Sequence, residues 1–231
     1  MDGSGPGEWQ MFQPEDSGGA VGGSDSDDIP PNYVFTIVNN IKDPCLRKMV
    51  EQVIDKDITF TAQNSLSSIF KESPRMNLFF EESKSLIDQN MANTIGRNTA
   101  GGMDVTITLN QNVLPGATQE YIAAVIVHEA VHAYLDSKGF NYNTDQHQMM
   151  LRDYLFVIAG YLTTTFQTPT QDAYALAFEG MENVFVNELN NATRDKIINE
   201  LGTNLPSYND RTRIRADYEM GYKGIACQPK M

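Results

Sequence analysis

Along the chain the period of the apolar positions changes several times, and each change predicts an element. Over 43–56, Leu46, Met49, Val50 and Val53 recur at helical spacing, and a second helix is predicted over 61–71. The apolar run at 76–82, following Pro74, and the alternation of Val105, Ile107 and Leu109 against Asp104, Thr106 and Thr108 over 104–109 predict two strands. Past a loop carrying Pro115 and Gly116 comes a helix over 119–137. A loop with Gly139, Asn141 and Asn143 leads to a long helix over 145–165, with Thr144 as its cap. Further helices are predicted over 170–190, where Ala173, Ala177, Met181, Val184 and Phe185 share one face, over 193–201, and over 211–222. No internal repeat is present.

Composition changes this picture at one end. Residues 1–32 are rich in Gly, Ser, Asp and Pro and offer little to bury, so they predict a flexible linker or tail that ends at Pro30 and Pro31. The globular part is then one domain over 33–231. Such a tether suits the C-terminal portion of a larger exported protein, although the chain carries no signal peptide of its own, and its compartment stays open. No stretch approaches the roughly 20 consecutive apolar residues of a membrane span.

A formal net charge of -13 argues against a nucleic-acid surface, which needs clustered Lys and Arg. It is compatible with a basic substrate, and more simply with solubility alone. The two cysteines, Cys45 and Cys227, exclude a zinc ribbon and a disulfide-dense scaffold; one bridge or two buried free thiols both remain open.

The chemistry sits in 122–135, IAAVIVHEAVHAYL, whose polar side chains, apart from the Tyr134 hydroxyl, are His128, Glu129 and His132. Apolar groups surround this helix on nearly every side, so it is expected to be the buried axis of the domain. Three ionisable groups are then buried with it, at a cost on the order of a few kcal/mol each unless something satisfies them. A metal ion does so. Histidines four apart lie about 40° apart on one helix face and offer two imidazoles to one ion, while Glu129, about 60° further round, reaches a water bound there.

A catalytic zinc takes three protein ligands and keeps one position for water. His147, past the loop and in the first turn of the next helix, is the expected third ligand, because a helix N-terminus favours neutral imidazole. Carboxylates are the rivals: Glu179 and Glu182 downstream, and Asp145, which is placed either to ligate or to orient His147. A solitary core histidine is more often a packing residue, but here all three histidines of the chain converge.

With HEAVHAYL on one helix, a short loop, and DQHQMMLRDY opening the next, the chain resembles the minimal SprT-like zinc metallopeptidases, zincins of the HExxH class, most strongly over 103–160. The resemblance implies a helix-rich α+β fold with a small β-sheet packed on the active-site helix, Zn2+ as cofactor, and hydrolysis of peptide bonds in a peptide or protein substrate. It also implies that an edge strand holds extended substrate, a role the strand MDVTITLN is expected to fill. Metal ligands are then His128, His132 and His147, with Glu129 as general base; Tyr154, Tyr142 and Arg152 are candidate donors to the developing negative charge. The DNA-repair role of some relatives is not carried over to so acidic a chain. Two other readings use the same residues: an exported effector or toxin domain with the same peptidase site, and a non-catalytic metal-binding interaction module, which has no need of Glu129.

Overall fold

In a computed structural model of the chain, residues 37–61, 64–70, 76–87, 90–100, 102–140 and 142–227 are described; the tail predicted over 1–32 lies outside them. Strand β1 (Ile37–Asn39) leads into α1 (Pro44–Asp55). The carboxylate of Asp43 accepts the backbone N–H groups of Cys45 and Leu46 at 2.9 and 3.0 Å, and Pro44 opens the helix where its missing N–H is harmless. Leu46, Met49, Val50 and Val53 form the buried face, as their spacing predicts.

The helix expected over 61–71 is much shorter. Strands β2 (Thr59–Thr61) and β3 (Asn64–Ser65) pair as a short antiparallel ribbon, and among the described residues of that span only α2 (Leu66–Phe70) is helical. Ser65 stops the helix from extending backwards: its hydroxyl accepts the Ser68 N–H at 3.2 Å, while its own N–H donates to the Ser68 hydroxyl at 2.8 Å.

Strands β4 (Met76–Ser83), β5 (Ala92–Thr99) and β6 (Gly102–Asn110) join β1 in a mixed sheet of order β1-β4-β6-β5. β1 and β6 run parallel to β4, and β5 runs antiparallel to β6. The expectation that the strand MDVTITLN is the edge strand is thereby corrected: β6 is interior, and β5 is the edge. β5, ANTIGRNT, escapes a pattern reading because its one large apolar residue, Ile95, points to solvent and its other positions are small or polar. In the β5–β6 register Ala92, Thr94 and Gly96 oppose Leu109, Ile107 and Val105, so these six residues share the face that packs on α3 (Gln119–Ser137).

α3 is the axis of the fold. Every residue from Glu120 to Leu135 is buried, and the sheet, α1, α5, α6 and α8 all pack around it. Behind it, α4 (Asn143–Met149) and α5 (Leu155–Phe166) form one helical run interrupted by a π-helical turn over Met150–Tyr154. The helix predicted over 145–165 thus starts earlier than expected. Thr144 is an exposed residue of its first turn rather than its cap, and Tyr142 occupies the cap position. The helix predicted over 170–190 also divides: α6 (Thr170–Ala177) ends before Gly180, whose φ of 75° is left-handed, and a π-helical turn covers Val184–Glu188. Ala173, Ala177, Met181, Val184 and Phe185 are buried as predicted, because the break re-aims the chain without exposing that face. Helices α7 (Asn191–Leu201) and α8 (Tyr208–Glu219) complete an α+β fold. Among the described residues no helix is long and apolar enough to cross a membrane.

After α8 the chain returns to the start of α3. Gln119 N–H donates to the Ile225 carbonyl at 2.8 Å, and Ile225 N–H donates to the Glu120 carboxylate at 2.9 Å. Cys227 then bridges to Cys45 on α1, with Cα atoms 5.7 Å apart, which resolves the alternative left open by the sequence. The bridge spans a sequence separation of 182 residues, and closing so long a loop in the unfolded chain stabilises the fold by about 5 kcal/mol in the chain-entropy treatment. Denatured, unreduced protein is expected to show no titratable thiol, and reduction or Cys227→Ser to lower the melting temperature by several degrees. An unchanged melting temperature on full reduction contradicts this role for the bridge.

Candidate metal centre

α3 presents His128 and His132 one turn apart, and α4 brings His147 to them from outside. The Nε2 atoms form a small triangle: 3.0 Å between His128 and His132, 3.1 Å between His132 and His147, and 3.3 Å between His147 and His128. A tetrahedral ion about 2.0–2.1 Å from each nitrogen places its ligand nitrogens roughly 3.3 Å apart, so the triangle has the size of a metal face. Protonation state agrees. Burial, reinforced by the neighbouring imidazoles, drives the His128 pKa well below its usual value, and burial pushes His147 down to about 4. Neutral imidazoles with converging lone pairs are what a divalent cation requires. The three histidines can therefore hold a metal ion.

His132 has a defined tautomer. Its Nδ1 meets Oε1 of Gln146, which has no proton to give, so Nδ1 carries the hydrogen and Nε2 keeps its lone pair toward the other histidines. Gln146 is itself held, donating through Nε2 to Asp136 Oδ1 at 2.6 Å and to the Phe140 carbonyl. The orienting residue is thus Gln146, on the buried side of α4; Asp145, expected to serve as ligand or orienting group, is exposed on the other side. The helix beginning at Asn143 sets this phase, since adjacent residues lie about 100° apart.

Of the other rival ligands, Glu182 is held by Arg211 through two bonds of 2.7 and 2.8 Å and is not free to ligate. Glu179 lines the same cavity, outside the ligand group; Arg215 Nε lies 3.1 Å from its Oε2, not aligned as a hydrogen bond, and burial raises its pKa to about 7. Gly180 beside it presses its backbone on the site. A Cβ there would stand in ordinary contact with the ring, 3.5 Å from His128 Cε1 and 3.7 Å from Nε2, so the position calls for glycine through its left-handed backbone rather than through crowding.

Glu129 is buried beside the triad, and burial raises its pKa, opposed by His132 and by a hydrogen bond from Thr94. The Thr94 hydroxyl on β5 donates to Glu129 Oε2 at 2.6 Å. Both groups face a cavity of about 600 Å³ whose floor is His128, Glu129 and His132, with Asp136 and Glu179 among its other walls. Consecutive residues from Asn90 to Gly96 line it, alternating between inward and outward side chains, which identifies the border as the free edge of β5 rather than either face. Of the proposed anion donors none is in this lining: Tyr154 packs against Tyr134 at 5.8 Å, Arg152 pairs with Asp153 at 2.8 Å, and Tyr142 is exposed. Thr94, Gln146 and Gly180 were not singled out from sequence; each matters through a partner distant along the chain.

Comparison with known proteins finds no family model, no curated sequence and no solved structure that matches this chain.

Gln146→Ala is expected to weaken divalent-metal affinity by about 10- to 100-fold, measured by chelator competition, because His132 loses the acceptor that fixes its tautomer. Unchanged affinity rules out that role. A pH effect follows from His147. Its folded pKa of about 4 lies below the ordinary 6.5, so between these values the unfolded chain binds more protons. Metal-free protein should lose stability as pH falls from about 6.5 to about 4, and His147→Asn should flatten that dependence in melting curves.

Proposed function

We propose that this chain is a zinc-dependent metallopeptidase. The observation that carries the reading is a three-imidazole group and a buried carboxylate, Glu129, on the floor of a cavity bordered by a free strand edge. A donor set of three histidines suits Zn2+ and leaves a fourth position for water or substrate. When bound, the ion supplies Lewis acidity toward a carbonyl and acidifies water. The chain's own groups do the rest. The N–H and C=O groups on the edge of β5 that no described strand covers pair with an extended peptide backbone and lay it across the floor. Glu129 takes the proton of the attacking water, and returns it to the amide nitrogen as the C–N bond breaks. The SprT-like resemblance of HEAVHAYL and DQHQMMLRDY supports the same assignment.

Glu129 also argues against a non-catalytic metal module, since a structural site closes its coordination shell and has no use for a buried acid beside it. The Cys45–Cys227 bridge favours an oxidising compartment, and with it the exported reading; a reducing cytosol does not maintain such bonds. The net charge of -13 favours protein over nucleic acid as the partner.

Incubation of the zinc-loaded protein with a synthetic peptide library, read by mass spectrometry, is expected to reveal cleavage that Glu129→Gln lowers about 10²- to 10⁴-fold at unchanged zinc content. Cleavage that Glu129→Gln leaves intact, or a zinc-loaded wild type that cuts nothing, contradicts the proposal.

A further inference from the structure

We propose that Thr94 is a positioning residue for Glu129. It holds one carboxylate oxygen so that the other is presented to the reacting water, and it ties the orientation of the base to the strand that receives substrate. This rests on the peptidase reading of the site and assigns a role to a residue outside the HExxH segment.

The terminal torsion of a glutamate side chain is broad, so a carboxylate on a helix does not by itself select which oxygen faces a reactant. Here the selection has a visible source. Thr94 Oγ1 lies 2.6 Å from Glu129 Oε2 and 3.3 Å from the Glu129 backbone carbonyl, and a hydroxyl with one proton gives it to the nearer acceptor. No other hydrogen bond to Glu129 Oε1 or Oε2 is made among the described residues, so Oε1 remains for the cavity that Glu129 lines. A donor fixed on Oε2 leaves Oε1 as the oxygen that takes an incoming proton. The proton balance is closed within the proposed reaction: the water O–H bond breaks as an O–H bond forms on Oε1, and that proton then moves to the leaving nitrogen.

Thr94 reaches Glu129 because it occupies an inward position of β5, opposite Ile107, with Ala92 and Gly96 on the same face. Its side chain points at the base while its backbone belongs to the edge that borders the cavity. Gly96, the next inward position, leaves room there for the ends of two side chains: a Cβ would come within 2.2 Å of Met103 Cε and 3.1 Å of Asp136 Oδ2, and those ends would have to move aside. A peptide paired to β5 thus meets a base whose orientation is set by the same residue that helps bind it.

The test compares wild type, Thr94→Val and Thr94→Ser, each checked for bound zinc, by crystal structure and by steady-state kinetics on the best library peptide. Valine keeps the shape and suits a strand, so the sheet is expected to survive. The expected result is one zinc in all three, Glu129 in a single orientation in wild type and Thr94→Ser, and Glu129 displaced or split in Thr94→Val. With that displacement kcat falls about 10- to 100-fold while KM stays within twofold, and serine restores kcat to within about threefold. A Glu129 that does not move in Thr94→Val overturns the proposal, as does a serine variant as impaired as the valine one. If wild type cuts no peptide yet Glu129 is released only in Thr94→Val, the positioning role stands and the peptidase reading fails.

Discussion

A helix with no solvent-facing side can draw partners for its polar groups only from inside the protein, and on α3 His128 Nδ1 and the Tyr121 hydroxyl are left without one among the described residues. α3 is buried from Glu120 to Leu135 and carries His128, Glu129 and His132 in that span. Each such group, left alone, costs on the order of a few kcal/mol, and a charged one more. The structure answers with partners from opposite walls: Gln146 on α4 takes His132 Nδ1, Thr94 on β5 takes Glu129 Oε2, and His147 completes a triangle of nitrogens that a cation can fill. The same burial keeps His128 and His147 neutral, so the constraint that makes these residues costly also prepares them as ligands.

The rest of the fold is arranged to hold those partners in register with α3. The π-helical turn at Met150–Tyr154 adds a residue to one turn and re-phases the helix by about 100°. One helical run can thereby aim His147 at the metal centre and bury Leu155, Ile158, Ala159 and Leu162 beyond it. The left-handed break at Gly180 brings the chain beside His128 in the lining of the cavity. At the other end of α3, the chain after α8 bonds to the helix N-terminus and is tied to α1 through Cys45–Cys227, so the axis is anchored away from the cavity.

What a sequence reading recovers here depends on where the determining partner lies. The bounds of α3, the HEAVH segment and the convergence of His147 are local pattern plus a short loop, and they are legible. The alternation in β6 is legible too, because that strand is interior with one face on the core. β5 is not: as an edge strand its stability comes from pairing with β6, and its own residues carry almost no apolar signal. Choosing between Asp145 and Gln146 needs the helix phase to one residue, which a boundary error at Thr144 reverses. The ends of α6 and of the helix expected over 61–71 follow from Gly180 and from the Ser65–Ser68 exchange, both weaker signals than the apolar period running past them. The pairing of Cys45 with Cys227 is settled only by the return of the C-terminal segment to α3.

Equilibrium zinc titration of the metal-free protein, with elemental analysis, asks whether the imidazoles of His128, His132 and the half-buried His147 form one metal site. One tightly bound equivalent per chain is expected in wild type and in Glu129→Gln, with loss of that equivalent in His128→Ala, His132→Ala and His147→Ala. Failure of wild type to bind zinc, or a full equivalent retained by His147→Ala, would contradict such a site.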